Sequence, residues 1–209
     1  MKIREFIIET VGYKLFPCFY NRFHDPLFNF IKLKVPKEFL HKEIYDLGCG
    51  DGKNTIRIRK VLQPKSILAC DRSEPMLSRA KKEGLDVQLI DFNKGFPKGE
   101  MATFTYSLHH AYDKEKTLKE VVNNFDYIFF CEPYLNLLHI VNWGHVPTKK
   151  RWNKLFDKVL EGYELYEYEG NLIIFYKNKR LRSNRKIARA KNSGGAAGEN
   201  ARAGASEPS

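Results

Sequence analysis

The sequence predicts a three-layer α/β domain built on a seven-stranded, mostly parallel sheet whose last strand runs antiparallel. Three observations carry that expectation. From Glu43 onward, short apolar runs alternate with helical stretches. A glycine-rich turn follows the first of those runs, at Gly48, Gly50 and Gly52. Near the end, two aromatic-rich runs flank Gly170–Asn171, a hairpin signal.

In chain order, residues 1–40 come first and read as a helical cap. Their aromatics include Phe6, Tyr13, Phe23, Phe28 and Phe30, and Pro17 and Pro26 divide the segment into two or three short helices. MKIREFIIETVGYKLF reads as an amphipathic helix; Glu5 and Glu9 inside its apolar run, with no small-residue cleavage site, argue against a signal peptide. EIYDLG is then the first strand and Asn54 to Leu62 a helix. SILACD is the second strand, followed by a helix from Glu74 to Lys82 that Ser73 caps, with Pro75 in its first turn. DVQLID and ATFTYSL are the third and fourth strands, with a helix over Lys114–Val122 after the fourth. FDYIFFCEP is the fifth, closed by Pro133. Thr148 caps a helix through Leu160, and YELYEYE and LIIFYKN form the closing hairpin. Right-handed crossovers then place helices on both faces of the sheet. Residues 41–177 form the core domain. Residues 178–209 form a basic, then Gly/Ala/Ser-rich tail, too poor in apolar surface to offset its ordering entropy and expected to be disordered.

Composition narrows the function. A hydrophobic content of 43% and 13% aromatics suffice for one sizeable core. The net charge of +11 resembles a nucleic-acid signature until it is located: residues 177–209 carry nine Lys/Arg and two Glu, so the domain itself is only mildly basic. No run approaches the roughly 20 apolar residues of a membrane span. Cys18, Cys49, Cys70 and Cys131 form no CxxC pair, so no metal site is expected, and buried thiols in a reducing cytoplasm fit best.

The chemistry gathers at IYDLGCGDG, residues 44–52, between the first strand and the first core helix. Its glycines let backbone turn tightly and approach a ligand. A dinucleotide fingerprint would place its third glycine at Lys53. Carboxylates at Asp46 and Asp51 would repel a pyrophosphate and attract a sulfonium or an α-ammonium. Asp71, at the tip of the second strand, suits both hydroxyls of a ribose. Asp91 and Phe92, at the tip of the third, suit the amine and the face of an adenine.

DLGCGDG, CDRSEPML, LIDF and YSLHHAYD, in that order and spacing, resemble the motifs of class I S-adenosylmethionine-dependent methyltransferases of the broad type 11 group, over residues 40–176. The resemblance implies the Rossmann-like methyltransferase fold and S-adenosylmethionine as cofactor. It implies a cofactor set of Asp46, Gly48, Gly50, Asp51, Gly52, Asp71, Asp91 and Phe92, with Ser107 in the segment along the methionine moiety. YNRFHDPLF is similar to the group's aromatic segment that helps close the site, and GHVPTKKRWNKLF to its stretch before the sixth strand.

Methyl transfer from a sulfonium needs alignment and exclusion of water, and a base only where the acceptor must lose a proton. His109 and His110, just past the fourth strand, are the catalytic candidates, with packing roles as the alternative. Tyr106, Glu132 and His145 lie at the expected edge of the site, and Glu132 could instead bond backbone amides. The place of the Asn/Asp-Pro-Pro-aromatic motif of nucleobase amine methylation reads SLHH, and the only Cys beside a proline is Cys18. The leading expectation is therefore a small-molecule or lipid-like acceptor. An RNA or protein methyltransferase docking through the basic tail, and a non-catalytic S-adenosylmethionine-binding partner subunit, are the alternatives. The oligomeric state is left open.

Overall fold

The computed structural model describes the backbone of residues 17–135 and 146–179, and the side chains of residues 24–92, 94–135 and 146–179. The helix expected over residues 1–16, Trp143, His145 and the tail beyond residue 179 lie outside them, as does the Cys18 side chain.

Strands β1 (Glu43–Leu47), β2 (Ser66–Asp71), β3 (Asp86–Leu89), β4 (Gly99–Thr105), β5 (Phe125–Pro133), β6 (Glu164–Tyr168) and β7 (Asn171–Lys177) form one sheet of order β3-β2-β1-β4-β5-β7-β6. β1 to β5 are parallel; β7 pairs antiparallel with both β5 and β6. All nine residues of β5 are buried, as the apolar run Tyr127–Cys131 at its centre requires of a strand covered on both faces. The order reverses between β1 and β4, so the crevice for a ligand opens beyond the carboxyl ends of those two strands.

Side chains alternate between two layers. On one face, Ala102, Phe104, Ile128, Phe130 and Ile174 pack against Leu118 and Val121 of α4 (Lys114–Asn124) and Trp152 and Phe156 of α5 (Lys149–Val159). On the other, Ile44, Met101, Phe129 and Phe175 pack against Leu27, Phe28 and Ile31 of α1 (Pro17–Lys34) and Ile58, Val61 and Leu62 of α2 (Lys53–Leu62). α3 (Glu74–Lys82) adds Leu77 and Ala80 to a smaller cluster with Ala69 and Leu85. Among the described residues, no helix is long and apolar enough to cross a membrane.

Several expected boundaries move. Pro26 does not divide the N-terminal segment: Pro17 to Lys34 is one 18-residue helix with Pro26 inside it. An interior proline costs about 3 kcal/mol; burial of Leu27, Phe28 and Ile31 returns roughly 1.5–3 kcal/mol per side chain. The Ser73 side chain makes no cap bond to α3; its amide donates to Asp71 Oδ1 instead. β4 begins at Gly99 rather than Ala102 and ends at Thr105, and β3 stops at Leu89, two residues short of Asp91. The hairpin turns on Glu169–Gly170, one residue earlier than expected, both at positive φ. Asn178 belongs to the folded domain rather than the tail: it is buried, and its amide donates to Asp126 O. Thr148 caps α5 as expected, accepting from Arg151 N, and Asp113 caps α4 in the same way, accepting from Lys116 N.

Candidate active site

The loop after β1 folds back on β2. Gly48 N and Cys49 N both donate to Cys70 O, at 2.7 and 2.9 Å. Gly48, Gly50 and Gly52 all have positive φ. At Gly48 an added Cβ would lie 2.4 Å from Ser107 Cβ and 3.6 Å from the Phe92 ring. The loops after β1, β3 and β4 therefore meet at one point, at Gly48, Phe92 and Ser107. At Gly50 an added Cβ would meet nothing within 4 Å, so this backbone faces open space that a ligand could enter.

Asp71 joins the first two loops. Its Oδ2 accepts from Gly50 N and its Oδ1 from Ser73 N, each at 2.9 Å. Each carboxylate oxygen retains acceptor capacity beyond one amide, which is what two ribose hydroxyls would use. Asp91 and Phe92 follow β3, Phe92 with its ring against Phe96 and Phe104. Asp51 turns inward on its own loop, accepting from Lys53 N and pairing with Lys53 Nζ at 3.0 Å. Its charge is thereby partly offset.

Asp46 lies beneath the loop at 2% exposure. Its two oxygens accept from the hydroxyls of Thr55 and Thr103, residues the sequence reading did not single out. Burial pushes its carboxyl up to about 6, those hydroxyls oppose the rise, and the charge on Asp71 adds to it. At neutral pH a buried, largely ionised carboxylate thus sits beside the glycine turn, held by the two threonine hydroxyls.

Glu132 ends β5 and is fully buried. Its Oε1 accepts from the backbone amides of Ser107 (2.9 Å) and Leu108 (2.7 Å), while Oε2 accepts from His109 N (3.4 Å) and meets His109 Nδ1 at 2.7 Å. The backbone role that the sequence allowed for Glu132 is present, and a link to His109 comes with it. The signal was a carboxylate at the carboxyl tip of β5, directly after the apolar run Tyr127–Cys131. Ser107 Oγ donates to Leu47 O, tying the segment to β1. His109 is buried, His110 is exposed, and their ring centroids lie 3.9 Å apart.

Tyr106, directly after β4, adopts φ +57 and donates its hydroxyl to Asn171 Oδ1 at 2.7 Å. Its ring meets His24 of α1 edge-on, with centroids 5.1 Å apart. His24 lies within YNRFHDPLF, the segment expected to help close the site, but its contact with Tyr106 appears only once the tertiary fold brings α1 to the end of β4.

These features suit an adenosyl amino acid: open space above Gly50, a strand-tip carboxylate at Asp71, an aromatic ring at Phe92 and buried negative charge at Asp46. Residues 44–125 match a family model described as a methyltransferase domain. That stretch, from β1 to the start of β5, is where this chain resembles a methyltransferase domain. Among solved structures, the chain is similar to a possible histamine N-methyltransferase from Thermotoga maritima, at 17% identity and TM-score 0.55 over 80% of this chain and 99% of that one. It is similar to magnesium protoporphyrin IX methyltransferase from Synechocystis, solved with bound S-adenosylhomocysteine, at 11% and 0.56 over 76% and 83%. It is also similar to a putative methyltransferase from Haloferax volcanii solved with the activator Trm112, at 13% and 0.57 over 72% and 88%. No curated protein matches the chain. At these identities the likeness to solved structures is one of fold. The Rossmann-like methyltransferase fold accounts for a sheet closed by an antiparallel hairpin, which a dinucleotide-binding domain does not need.

Proposed function

We propose that this enzyme transfers the methyl group of S-adenosylmethionine to a small-molecule or lipid-like acceptor. The convergence of the loops after β1, β3 and β4 at Gly48 carries the reading. In it, Asp71 holds the ribose, Asp91 and Phe92 the adenine, and Gly48, Gly50, Gly52 and Ser107 line the path of the amino-acid portion. Asp46 acts from below as a buried counter-charge, with Asp51 in a lesser role. The bound cofactor supplies an electrophilic methyl group on sulfur. The chain's own work is to orient the acceptor, exclude water and, for a protonated acceptor, take up a proton. His109 is the favoured base and His110 the outer of the pair.

Preference for a compact acceptor rests on the wall beside Tyr106. His24 packs on its ring, and Phe30 of α1 stacks on Tyr168 at the end of β6, with centroids 4.7 Å apart. An aromatic wall of this kind suits a planar or apolar molecule.

Calorimetric titration with S-adenosylhomocysteine tests the cofactor half, with NAD as control and Asp71→Ala in parallel. Micromolar binding of the first alone, lost in the variant, is expected. Binding of NAD, or of neither, overturns the reading. Removal of residues 180–209 tests the acceptor half: turnover of a small molecule survives it, and a salt-sensitive loss of turnover points instead to RNA or protein.

A further inference from the structure

We infer that Glu132 is a positioning residue that fixes which nitrogen of His109 is the base. The inference rests on the proposed role of His109 and deepens it.

Glu132 has no solvent exposure, and its four contacts come from one short segment: three donating backbone amides and the ring nitrogen Nδ1 of His109. An ionised carboxylate only accepts hydrogen bonds. Three backbone amides already hold the Glu132 carboxyl as an acceptor, so the geometry assigns the donor role to the ring nitrogen 2.7 Å from Oε2, with the proton of neutral His109 on Nδ1 and its lone pair on Nε2. The same carboxylate holds the amides of Ser107 and Leu108, so the ring's tautomer and the backbone beside the glycine turn are set by one group. A buried histidine without such a partner would be free to take either tautomer.

The step this serves balances as follows. The acceptor atom forms a bond to the methyl carbon, and the carbon–sulfur bond breaks with its electron pair passing to sulfur. The acceptor's proton passes to His109 Nε2. The imidazolium so formed is held against Glu132 until it releases a proton to water. Glu132 thus favours acceptors whose reacting atom bears a proton, since only these need Nε2 as a base.

Glu132→Gln separates positioning from packing. The amides of Ser107 and Leu108 both point at Oε1 and require an acceptor there, so the glutamine carbonyl takes that side. Its amino group then faces His109 Nδ1, which must become an acceptor, and the proton moves to Nε2. Nitrogen-15 NMR of histidine-labelled protein reads the tautomer from couplings to the ring protons. The expected result is an Nδ1-protonated neutral ring in the wild type and an Nε2-protonated ring in the variant. An Nε2-protonated ring in the wild type, or the same tautomer in both proteins, overturns the proposal. Should the variant fail to fold, the wild-type spectrum alone decides. Calorimetry with S-adenosylhomocysteine on the same wild-type sample reports separately on the cofactor reading, so the two can fail independently.

Discussion

The buried carboxylate of Asp46 is the residue where stability and function pull apart. Its folded value of about 6 lies above the ordinary aspartate value of about 3.9, so between them the folded chain keeps a proton the unfolded chain has released. The stability it contributes is fully present at low pH and is lost as pH rises through about 6, on the order of 2–3 kcal/mol. Asp46→Asn should remove that loss: in urea melts, the variant gains on the wild type between pH 4 and pH 7.5. The same variant should lose more affinity for cationic S-adenosylmethionine than for neutral S-adenosylhomocysteine, read by calorimetry. Gly48 is bound by shape rather than charge. Gly48→Ala puts a methyl group 2.4 Å from Ser107 Cβ at a φ of +78, and should abolish cofactor binding while lowering the melting temperature. The thiols of Cys49, Cys70 and Cys131 are buried, and burial pushes all three well above the ordinary thiol range. Iodoacetamide should leave them unmodified in native protein and label them in urea, by mass spectrometry.

Among the elements, the closing hairpin and α5 carry the clearest strain and the clearest packing. Glu169 holds φ +43 in a two-residue turn whose favoured occupants are Asn-Gly. Glu169→Asn should stabilise the fold by about 0.5–1 kcal/mol, seen as a higher denaturant midpoint at unchanged slope. Trp152 anchors α5: it is fully buried, stacks on Phe156 at 8°, and donates its indole N–H to Pro133 O at the end of β5. Trp152→Ala should cost about 3–5 kcal/mol by the same measurement. α4 is tied to α5 through Glu115, which bonds Lys158 and Lys119 and whose carboxyl those lysines hold down to about 2. Exposed pairs of this kind are screened by solvent, so α5 owes its position to Trp152 and Phe156.

For the molecule as a whole, the joint between α1 and the carboxyl end of the sheet is the part sensitive to acid. Burial and the nearby Arg57 hold His24 down to about 4, against a slight rise from Asp25. The unfolded chain therefore binds a proton below about 6.5 that the folded chain refuses until about 4. Stability from this group is present above 6.5 and is lost as pH falls toward 4, opposite in sign to the contribution of Asp46. Hydrogen exchange of the α1 amides should accelerate between pH 7 and pH 5, after correction for the intrinsic rate. His24→Gln should remove that acceleration. The ion pair of Arg57 with Asp25 at 3.0 Å is a second tie between α1 and α2. It leaves α1 attached through its apolar face even when His24 is charged.

By itself the sequence determined the order of strands and helices, the glycine turn, the strand-tip acids and hence the donor class. Each of these is local: periodicity, chirality of crossovers and backbone permissiveness act over a few residues and leave their mark in the residue types. It could not decide that Pro26 lies inside a continuous α1, because that outcome depends on what Leu27, Phe28 and Ile31 pack against. Nor could it pair Glu132 with His109 across 23 positions, Tyr106 with Asn171 across 65, or His24 with Tyr106. Those contacts exist only once β4, β5 and β7 are laid side by side and α1 is set over their ends. A side chain's chemistry is written in its own residue, but its partner, its burial and therefore its proton are set by neighbours that only the tertiary fold brings near.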